Sequence, residues 1–326
     1  MAASDDRYRV AIVQSPPVIL DREATLAKAV AKIDECADGG AKLVAFSEAW
    51  VAGYPDWVWR LRPGNDGETS RAIWARFLAE SVDLERDDLR VVRDAAARRG
   101  VTVGMGINER EPSFSRSTIF NSLVVIGPDG NVILRHRKLV PTNAERMVWG
   151  PGDGVGLEAV ETPLGRVAGL MCWENYMLLA RFALYASGVQ VYLAPTWNDG
   201  ERWIASMRHI AFEGGCWVLG CGNVVRGADM PADLPGRAEL YPDADEWVNA
   251  GDSVIVAPGG TIVAGPLHQA EGILYADCDP EQASAAHRML DVAGHYGRPD
   301  VFHLEIDRTR RTPIADAGRR ASPQKV

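Results

Sequence analysis

Short apolar runs alternate with segments of helical periodicity along the first third of the chain. The runs at 9–14, 43–48 and 101–109 are continuous and brief, which is typical of buried strands. Between these runs, apolar residues recur every three or four positions. The segments with this period are 21–38, 69–80 and 88–99. Glycines directly follow the first and the last of them, as is common at helix ends, so the alternation predicts a layered α/β sheet.

The rest of the chain contains two segments that predict β-hairpins. In 120–139 two apolar strands flank a Pro-Asp-Gly turn, and in 252–267 two similar strands flank a Gly-Gly pair. Apolar runs between the hairpins predict further strands, with a helix after each of the first two. These runs are 166–172, 189–195 and 217–225. Residues 226–249 are polar and rich in Pro and Asp, which predicts a surface insertion.

The domain organisation follows from the same survey. The sequence shows no linker that would divide the chain, so we expect one domain over 1–304. Residues 305–326 are rich in Arg, Pro and Ala, which predicts an extended or disordered tail.

Composition excludes several classes of partner. The net charge of −9 argues against binding to nucleic acid or to an anionic membrane. Hydrophobic residues make up 47% and charged residues 24%, which is an ordinary globular balance. No apolar run approaches the roughly 20 residues that span a bilayer. The first ten residues lack the basic and apolar regions of a signal peptide.

The five cysteines give no sign of disulfides or of a metal site. Their number is odd, they contain no Cys-x-x-Cys pair, and no paired histidines accompany them. We therefore expect no zinc, no disulfide framework and a reducing cytoplasm. The glycines of 150–156 do not fit the dinucleotide-binding pattern, so we expect no nucleotide cofactor.

Cys172 is the residue with the clearest chemical meaning. It ends a buried apolar run, and a helix-compatible segment follows, so a helix dipole would favour its thiolate over its thiol. A thiolate is a nucleophile, and this placement indicates covalent catalysis. A buried structural cysteine is the alternative.

Two more ionisable residues share this position at a strand end. Glu48 ends the run 43–48, and Lys138 lies near the end of the first hairpin. Ligands of open α/β sheets bind at the carboxyl ends of the strands, so we expect Glu48, Lys138 and Cys172 to converge. A base, an oxyanion stabiliser and a nucleophile are what acyl transfer at a carbon bound to nitrogen requires. A structural Glu–Lys pair beside an inert cysteine is the alternative.

Five segments around these residues resemble the nitrilase family, in family order and across about 9–304. They are GLMCWENYMLLARFALYASGVQVYLAPTW, FSEAWVAGYPDW, RHRKLVPT, NAERMVWGPGDG and GHYGRPDVF. The Cys-Trp-Glu-Asn run points to the nitrile-hydrolysing branch. The resemblance implies an αββα sandwich, in which two mixed sheets lie face to face with helices outside, and it implies no metal or organic cofactor.

The resemblance also implies roles for individual residues. Cys172 would be the nucleophile and Glu48 the general base. Lys138 would stabilise charge on the substrate, helped by the backbone N–H of Trp173. Glu145 would position Lys138 and the substrate, and a loop carboxylate paired with Arg146 is its alternative.

Aromatic residues flank these segments. We expect Tyr54, Trp173 and Trp197 to line the pocket, although packing is the commoner role of an aromatic side chain. The chain departs from the family pattern at two places, where Ser47 and Leu178 replace prolines. Both changes leave the functional groups intact but could shift the backbone near the pocket.

The expected activity is hydrolysis of an organic nitrile to a carboxylic acid and ammonia. An amidase or carbamoyl hydrolase, or an enzyme acting on cyanide, could use the same residues. A catalytically silent binding or scaffold protein is the alternative of a different class. As in the family, we expect a homo-oligomer, either a dimer paired through helices or a larger spiral. We expect 226–249 and the tail to form its contact surfaces.

Overall fold

The computed structural model describes residues 7–62 and 64–313. Thirteen strands occur in these residues: β1 (Tyr8–Gln14), β2 (Ala41–Ala45), β3 (Thr102–Arg110), β4 (Ile119–Ile126), β5 (Val132–Arg137), β6 (Val160–Thr162), β7 (Gly165–Gly169), β8 (Val191–Thr196), β9 (Trp217–Gly222), β10 (Val224–Arg226), β11 (Trp247–Ala257), β12 (Thr261–His268) and β13 (Gly272–Cys278). The α-helices among them are α1 (Arg22–Asp38), α2 (Trp57–Arg60), α3 (Gly67–Glu80), α4 (Arg90–Arg99), α5 (Leu178–Ala186), α6 (Glu201–Glu213), α7 (Arg237–Leu240) and α8 (Pro280–Ala286). None of these helices combines the length and hydropathy that crossing a bilayer requires.

The strands form two mixed sheets. The first has the order β13-β1-β2-β3-β4-β5, and its β1, β2 and β3 are parallel. The second has the order β10-β11-β9-β8-β7-β6, with β12 also paired to β11, and its β7, β8 and β9 are parallel. Both predicted hairpins are present, as the antiparallel pairs β4–β5 and β11–β12.

The alternation of side chains along the strands creates three apolar layers. In β1, Val10 and Ile12 face the second sheet, whereas Ala11 and Val13 pack with α1 and α4. In β8, Leu193 faces the first sheet, whereas Tyr192 packs with α5 and α6. A helix layer, two sheets and a second helix layer therefore stack in sequence, and the predicted αββα sandwich is confirmed.

The two sheets approach each other closely at Gly104 of β3. A Cβ atom built there would lie 2.5 Å from the Leu193 Cδ1 atom of the opposite sheet. Leu193 is buried in the layer between the sheets. A side chain at position 104 would therefore have to displace the Leu193 side chain.

The predicted ends of the first helices also agree with the structure. The Asp21 carboxylate accepts a hydrogen bond from the Ala24 N–H at 2.9 Å, which caps α1. Gly100 ends α4 with φ of 60°, a left-handed conformation that glycine adopts without a steric cost.

The segment 226–249 lies largely at the surface, as predicted, but it is also anchored in an apolar cluster. Its apolar side chains Met230, Leu234 and Tyr241 are buried, and they join a cluster that also contains Tyr54 and Trp57. The polar composition of this segment hides a few apolar residues at irregular spacing, which no strand or helix period reveals.

The predicted tail is described only as far as residue 313. Residues 305–313 have no regular structure, and the Arg308 Nη2 atom donates a hydrogen bond to the Leu157 carbonyl at 3.0 Å. Ile306 packs against the apolar cluster of α5 and α6. The remainder of the predicted tail, 314–326, lies outside the described residues.

Candidate active site

The carboxyl ends of strands from both sheets meet at one place. Glu48 follows β2 and Lys138 follows β5, and these strands run in the same direction because β4 reverses the chain between β3 and β5. Cys172 follows β7 of the opposite sheet. Each of the three side chains therefore enters the same space from a strand end, as the sequence predicts.

Lys138 is the centre of a buried ionic cluster. Its ammonium Nζ donates to the Glu48 Oε1 atom at 2.8 Å and to the Glu145 Oε2 atom at 2.8 Å. All three side chains are at most 1% exposed. Glu145 is thus paired with Lys138, while the Arg146 Nε atom donates to the Pro141 carbonyl instead.

Cys172 lies against this cluster. Ligand atoms of Cys172, Glu48 and Glu145 lie within 4.8 Å of one another. Such a group could hold a metal ion, but the Lys138 ammonium already supplies a positive charge between the two carboxylates.

A strained turn presents the thiol. Cys172 has φ of 52°, which is uncommon outside glycine, and it begins the 3₁₀ turn Cys172–Tyr176. The Asn175 Nδ2 atom donates to the Leu170 carbonyl at 2.9 Å and to the Cys172 carbonyl at 3.0 Å. The Tyr192 hydroxyl donates to the Asn175 Oδ1 atom at 2.7 Å. Asn175 therefore holds this turn from both sides of the cysteine.

The expectation that a helix dipole favours the Cys172 thiolate is wrong, because the pKa of this thiol is raised. Burial and then the Glu48 carboxylate raise the pKa of its thiol to about 12, against a lowering by Lys138. The turn that follows the cysteine is a short 3₁₀ segment, so the dipole of a long helix is absent at this position. Cys172 is therefore a neutral thiol that needs a base.

The neighbouring groups are suited to proton transfer. Burial raises the pKa of Glu48, although the Lys138 charge opposes this shift. Burial by itself lowers the pKa of Lys138, but the charge of Glu48 and then those of its other acidic neighbours outweigh burial and raise the pKa above its usual range. The lysine therefore stays an ammonium, and Glu48 has the higher basicity that a general base uses.

Hydrogen bonds that the sequence analysis did not predict orient Glu48. The Asn121 Nδ2 atom donates to Glu48 Oε1 at 2.7 Å, and the Trp197 N–H donates to Glu48 Oε2 at 2.7 Å. The Asn223 Nδ2 atom donates to the Glu48 carbonyl at 2.9 Å, and the Ser47 hydroxyl donates to the Asn223 Oδ1 atom at 2.8 Å. Ser47, a departure from the family pattern, thus adds a hydrogen bond next to the base.

Glycine at position 106 allows the chain to pass beside Glu48. A Cβ atom at Gly106 of β3 would lie 2.3 Å from the Ser47 carbonyl oxygen and 2.8 Å from the Glu48 Cα atom. A larger residue would displace the segment that carries the carboxylate.

Glu174 was also missed, and it connects two parts of the site. Its carboxylate accepts from the Leu139 N–H at 2.8 Å and from the Met171 N–H at 3.0 Å. The His136 Nε2 atom lies 3.0 Å from both of its oxygens. Burial by itself raises the pKa of Glu174, but His136 and the two N–H groups outweigh burial and lower it. Its position two residues after the candidate nucleophile could have indicated Glu174 as a site residue from the sequence.

The site opens into a cavity of about 400 Å³. The three aromatic residues expected there, Tyr54, Trp173 and Trp197, all line it. The Tyr54 ring stacks on Trp197 at 4.2 Å, and its hydroxyl donates to the Glu145 Oε1 atom at 2.7 Å. Trp173 is half exposed at the mouth. Further lining residues that the sequence analysis did not single out are Asp56, Trp59, Thr142, Asn143, Asn198, Asp199, Val248 and Asn249.

The second departure from the family pattern, Leu178, lies outside this cavity. It begins α5 and is 64% exposed. A proline is tolerated at the first position of a helix, and so is leucine, so this exchange leaves the site unchanged.

Comparison with known proteins identifies the family. The carbon-nitrogen hydrolase family matches residues 9–288. An aliphatic nitrilase of Sinorhizobium fredii is 38% identical over 94% of this chain and 98% of its own length. Nitrilase 2 of Arabidopsis thaliana is 37% identical over 96% of this chain and 92% of its own. The chain belongs to the nitrilase family of carbon-nitrogen hydrolases. It is therefore a hydrolase that acts on carbon–nitrogen bonds.

Solved structures agree on the fold of this nitrilase-family chain. A carbon-nitrogen hydrolase of Helicobacter pylori matches with a TM-score of 0.63 and 19% identity, over 87% of this chain and 93% of its own. Nit3 of Saccharomyces cerevisiae, a member of the nitrilase superfamily, matches with a TM-score of 0.65 and 19% identity, over 90% of this chain and 99% of its own.

Proposed function

We propose that this protein hydrolyses an organic nitrile to its carboxylic acid and ammonia, with Cys172 as the nucleophile. The observation that carries the proposal is a buried group of a thiol, two carboxylates and an ammonium, of which Cys172 and Glu145 line the cavity. Named nitrilases that are 37–38% identical over nearly the whole chain support nitriles as the substrate class.

The first half of the reaction forms a covalent intermediate. Glu48 accepts the proton of the Cys172 thiol as the sulfur attacks the nitrile carbon. The nitrile nitrogen takes up this proton, and a thioimidate forms. The Lys138 ammonium and the Trp173 N–H stabilise the negative charge that develops on nitrogen. A base is needed because burial keeps the free thiol protonated.

The second half releases both products. Glu48 takes a proton from a water molecule, which adds to the thioimidate carbon and gives a tetrahedral intermediate. Glu48 returns this proton to the nitrogen and then transfers the proton of the new hydroxyl to it as well. The C–N bond breaks, ammonia leaves, and the carbon–oxygen double bond of a thioester forms. A second water molecule, activated in the same way, releases the carboxylic acid and restores the thiol.

Glu145 acts in this scheme by holding other groups in place. It accepts hydrogen bonds from Lys138 and from Tyr54, and from the Thr142 N–H at 2.6 Å. These contacts fix the ammonium over the reacting carbon, while Tyr54, Trp173 and Trp197 form the walls against which the substrate rests.

The test is mass spectrometry and ammonia release with a panel of nitriles. We expect ammonia release and, after brief incubation, an adduct on the peptide that carries Cys172. Cys172→Ala should abolish both, whereas Cys36→Ala, which removes a thiol of helix α1, should keep both. Ammonia from amides but from no nitrile would replace the proposal with an amidase.

The same assay measures the balance between acid and amide. A tobacco relative that is 35% identical is called a bifunctional nitrilase/nitrile hydratase. An amide forms when the tetrahedral intermediate expels the thiol before ammonia. We propose the acid as the main product, because the Lys138 ammonium next to Glu48 favours the protonation and loss of the amine.

We propose a homo-oligomer that associates through α5 and the segment 292–304, instead of through 226–249. Leu178, Leu179 and Phe302 are 64%, 60% and 76% exposed. Together these elements line an apolar groove of about 850 Å³. An exposed apolar surface of this kind marks a protein interface. A second copy of the chain, paired through this helix, would cover it.

We also propose a reducing compartment, the cytoplasm, as the location. All five cysteines are free and buried. A nucleophilic thiol also stays active only where it is kept reduced. Cell fractionation with an antibody against the native protein would test the location.

A further inference from the structure

One partly buried arginine connects two walls of the cavity that are far apart in sequence. Arg60 ends α2, and its Nε atom donates to the Asp56 Oδ2 atom at 2.7 Å. Its Nη1 atom donates to the Leu240 carbonyl at 2.9 Å. Its Nη1 and Nη2 atoms also donate to both oxygens of Glu246, at 3.1 and 2.8 Å. The guanidinium thus joins α2 to both ends of 240–246.

An aromatic ring also packs against the guanidinium of Arg60. Its guanidinium lies 4.4 Å from the centre of the Tyr241 ring, which is fully buried. The Tyr241 hydroxyl donates to the same Asp56 oxygen at 3.1 Å. A bidentate pair with Glu246 and a stacked ring fix the guanidinium plane, which a lysine could not reproduce.

The elements that Arg60 joins carry residues of the cavity. Asp56 and Trp59, which lie just before it in the chain, line one side. Val248 and Asn249, which directly follow the Glu246 segment at the start of β11, line another. With four residues, α2 is too short to hold its own position, so its place depends on such tertiary contacts.

We infer that the Asp56–Arg60–Glu246 cluster sets the width of the substrate cavity and thereby determines which nitriles fit. This inference depends on the proposed function for the identity of the substrate. Arg60 contacts neither the thiol nor the ionic cluster around Lys138, so it is a positioning residue for specificity. Loss of the bridge would let the α2 wall and the β11 wall separate, and bulky nitriles would gain over small ones.

Two variants test this inference against a matched control. Arg60→Met removes the guanidinium. Glu246→Gln keeps the guanidinium but weakens its pairing with residue 246, and it serves as the test variant if Arg60→Met fails to fold. Arg62→Met is the control, because Arg62 also pairs with an aspartate four residues away, at 2.8 Å, but is 75% exposed. The measurement is kcat and KM for phenylacetonitrile and for propionitrile.

We expect both test variants to raise the ratio of kcat/KM for phenylacetonitrile over propionitrile by about tenfold, mainly through KM. The control should stay within about twofold of the wild type. An unchanged ratio in both folded test variants, or an equal change in the control, would overturn the inference.

A second readout separates this inference from the proposed function. Iodoacetamide and its N-phenyl derivative alkylate cysteine without any nitrile chemistry, and mass spectrometry follows the Cys172 peptide. We expect Arg60→Met and Glu246→Gln to raise the rate of the N-phenyl reagent relative to iodoacetamide. If the wild type acts on no nitrile, the proposed function fails, while this ratio still decides whether the cluster sets the cavity width.

Discussion

At the residue scale, a neutral thiol and a charged amine lie in the same buried space for different reasons. The Lys138 ammonium has two carboxylates at 2.8 Å, which outweigh the cost of burial. Burial disfavours the thiolate form of Cys172, and the same carboxylates repel its negative charge. Together these effects raise the pKa of the thiol to about 12. The cluster thus keeps the nucleophile inactive until a proton acceptor takes its proton.

The first prediction concerns the pH dependence of this thiol. The pKa of about 12 means that the thiolate fraction at neutral pH is small and grows with every unit of pH. We expect the rate of Cys172 alkylation by iodoacetamide to rise about tenfold per unit from pH 8 to 10. Mass spectrometry of the Cys172 peptide measures the rate, and circular dichroism verifies the fold. A plateau below pH 9 would instead indicate a resting thiolate.

The second prediction concerns Glu174, which accepts N–H groups next to Lys138 and next to Cys172. In Glu174→Gln the amide NH₂ would face one of these N–H donors and could not accept its hydrogen bond. The segments that carry Lys138 and Cys172 would then shift relative to each other. We expect kcat to fall about a hundredfold while KM changes little. Steady-state kinetics with a nitrile measures both constants.

Asp83→Asn is the control for this variant. Asp83 is also buried and accepts two backbone N–H groups, but it lies in the turn after α3, away from the site. A fall of kcat in both variants to the same extent would show a general effect of stability and would contradict the positioning role of Glu174.

At the element scale, the sheets are held by residues that alternate between two apolar layers. Leu193 of β8 is 1% exposed and fills the space that Gly104 of β3 leaves open. Neighbouring β7, β8 and β9 are parallel and end at the site, where Trp197 and Asn223 reach Glu48. Packing between the sheets therefore also fixes the distance between the base and the groups that orient it.

The third prediction is that Leu193→Ala lowers the free energy of unfolding by about 3 kcal/mol, because it leaves a cavity between two rigid sheets. Urea denaturation followed by fluorescence measures this loss. Val263→Ala on β12 removes a side chain that is 47% exposed and should change the free energy by less than about 0.5 kcal/mol. A similar small loss for Leu193→Ala would contradict the packing described between the sheets.

At the scale of the whole molecule, the two long faces of the sandwich differ. On one face, α1 and α4 bury most of their apolar residues against the first sheet. On the other, α5 buries Ala180, Ala183 and Leu184 but leaves Leu178 and Leu179 exposed. A helix that is apolar on both sides is usually covered by a further element, which the proposed second copy would provide.

The fourth prediction follows from this asymmetry. Leu179→Glu places a charge in the proposed interface, and we expect the mass from light scattering to fall by at least half relative to the wild type. Val91→Glu on α4, where the wild-type side chain is 44% exposed, should leave the mass unchanged. A wild-type protein that is monomeric throughout would reject the interface.

The sequence by itself determined the main strands and helices and the principal site, and the family resemblance supplied the four-layer arrangement. Periods of two and of about three and a half residues are local properties, so they marked β1, α1, α4 and both hairpins before any contact was known. Glu48, Lys138 and Cys172 could be predicted to converge because each comes at a strand end, where the ligands of α/β sheets bind. The family resemblance added Glu145, and nearness to a strand end indicated the three aromatic residues.

Only the tertiary structure decided the protonation states of these groups and the hydrogen bonds that hold them in place. The pKa of Cys172 depends on Glu48, which is distant in sequence, and on burial by both sheets. The roles of Glu174 and Asn121 follow from their hydrogen bonds to residues of other elements. The role of 226–249 follows from its contacts with α2. The energy of a charge or of a buried polar group is set by everything that surrounds it, and sequence neighbours are a small part of those surroundings.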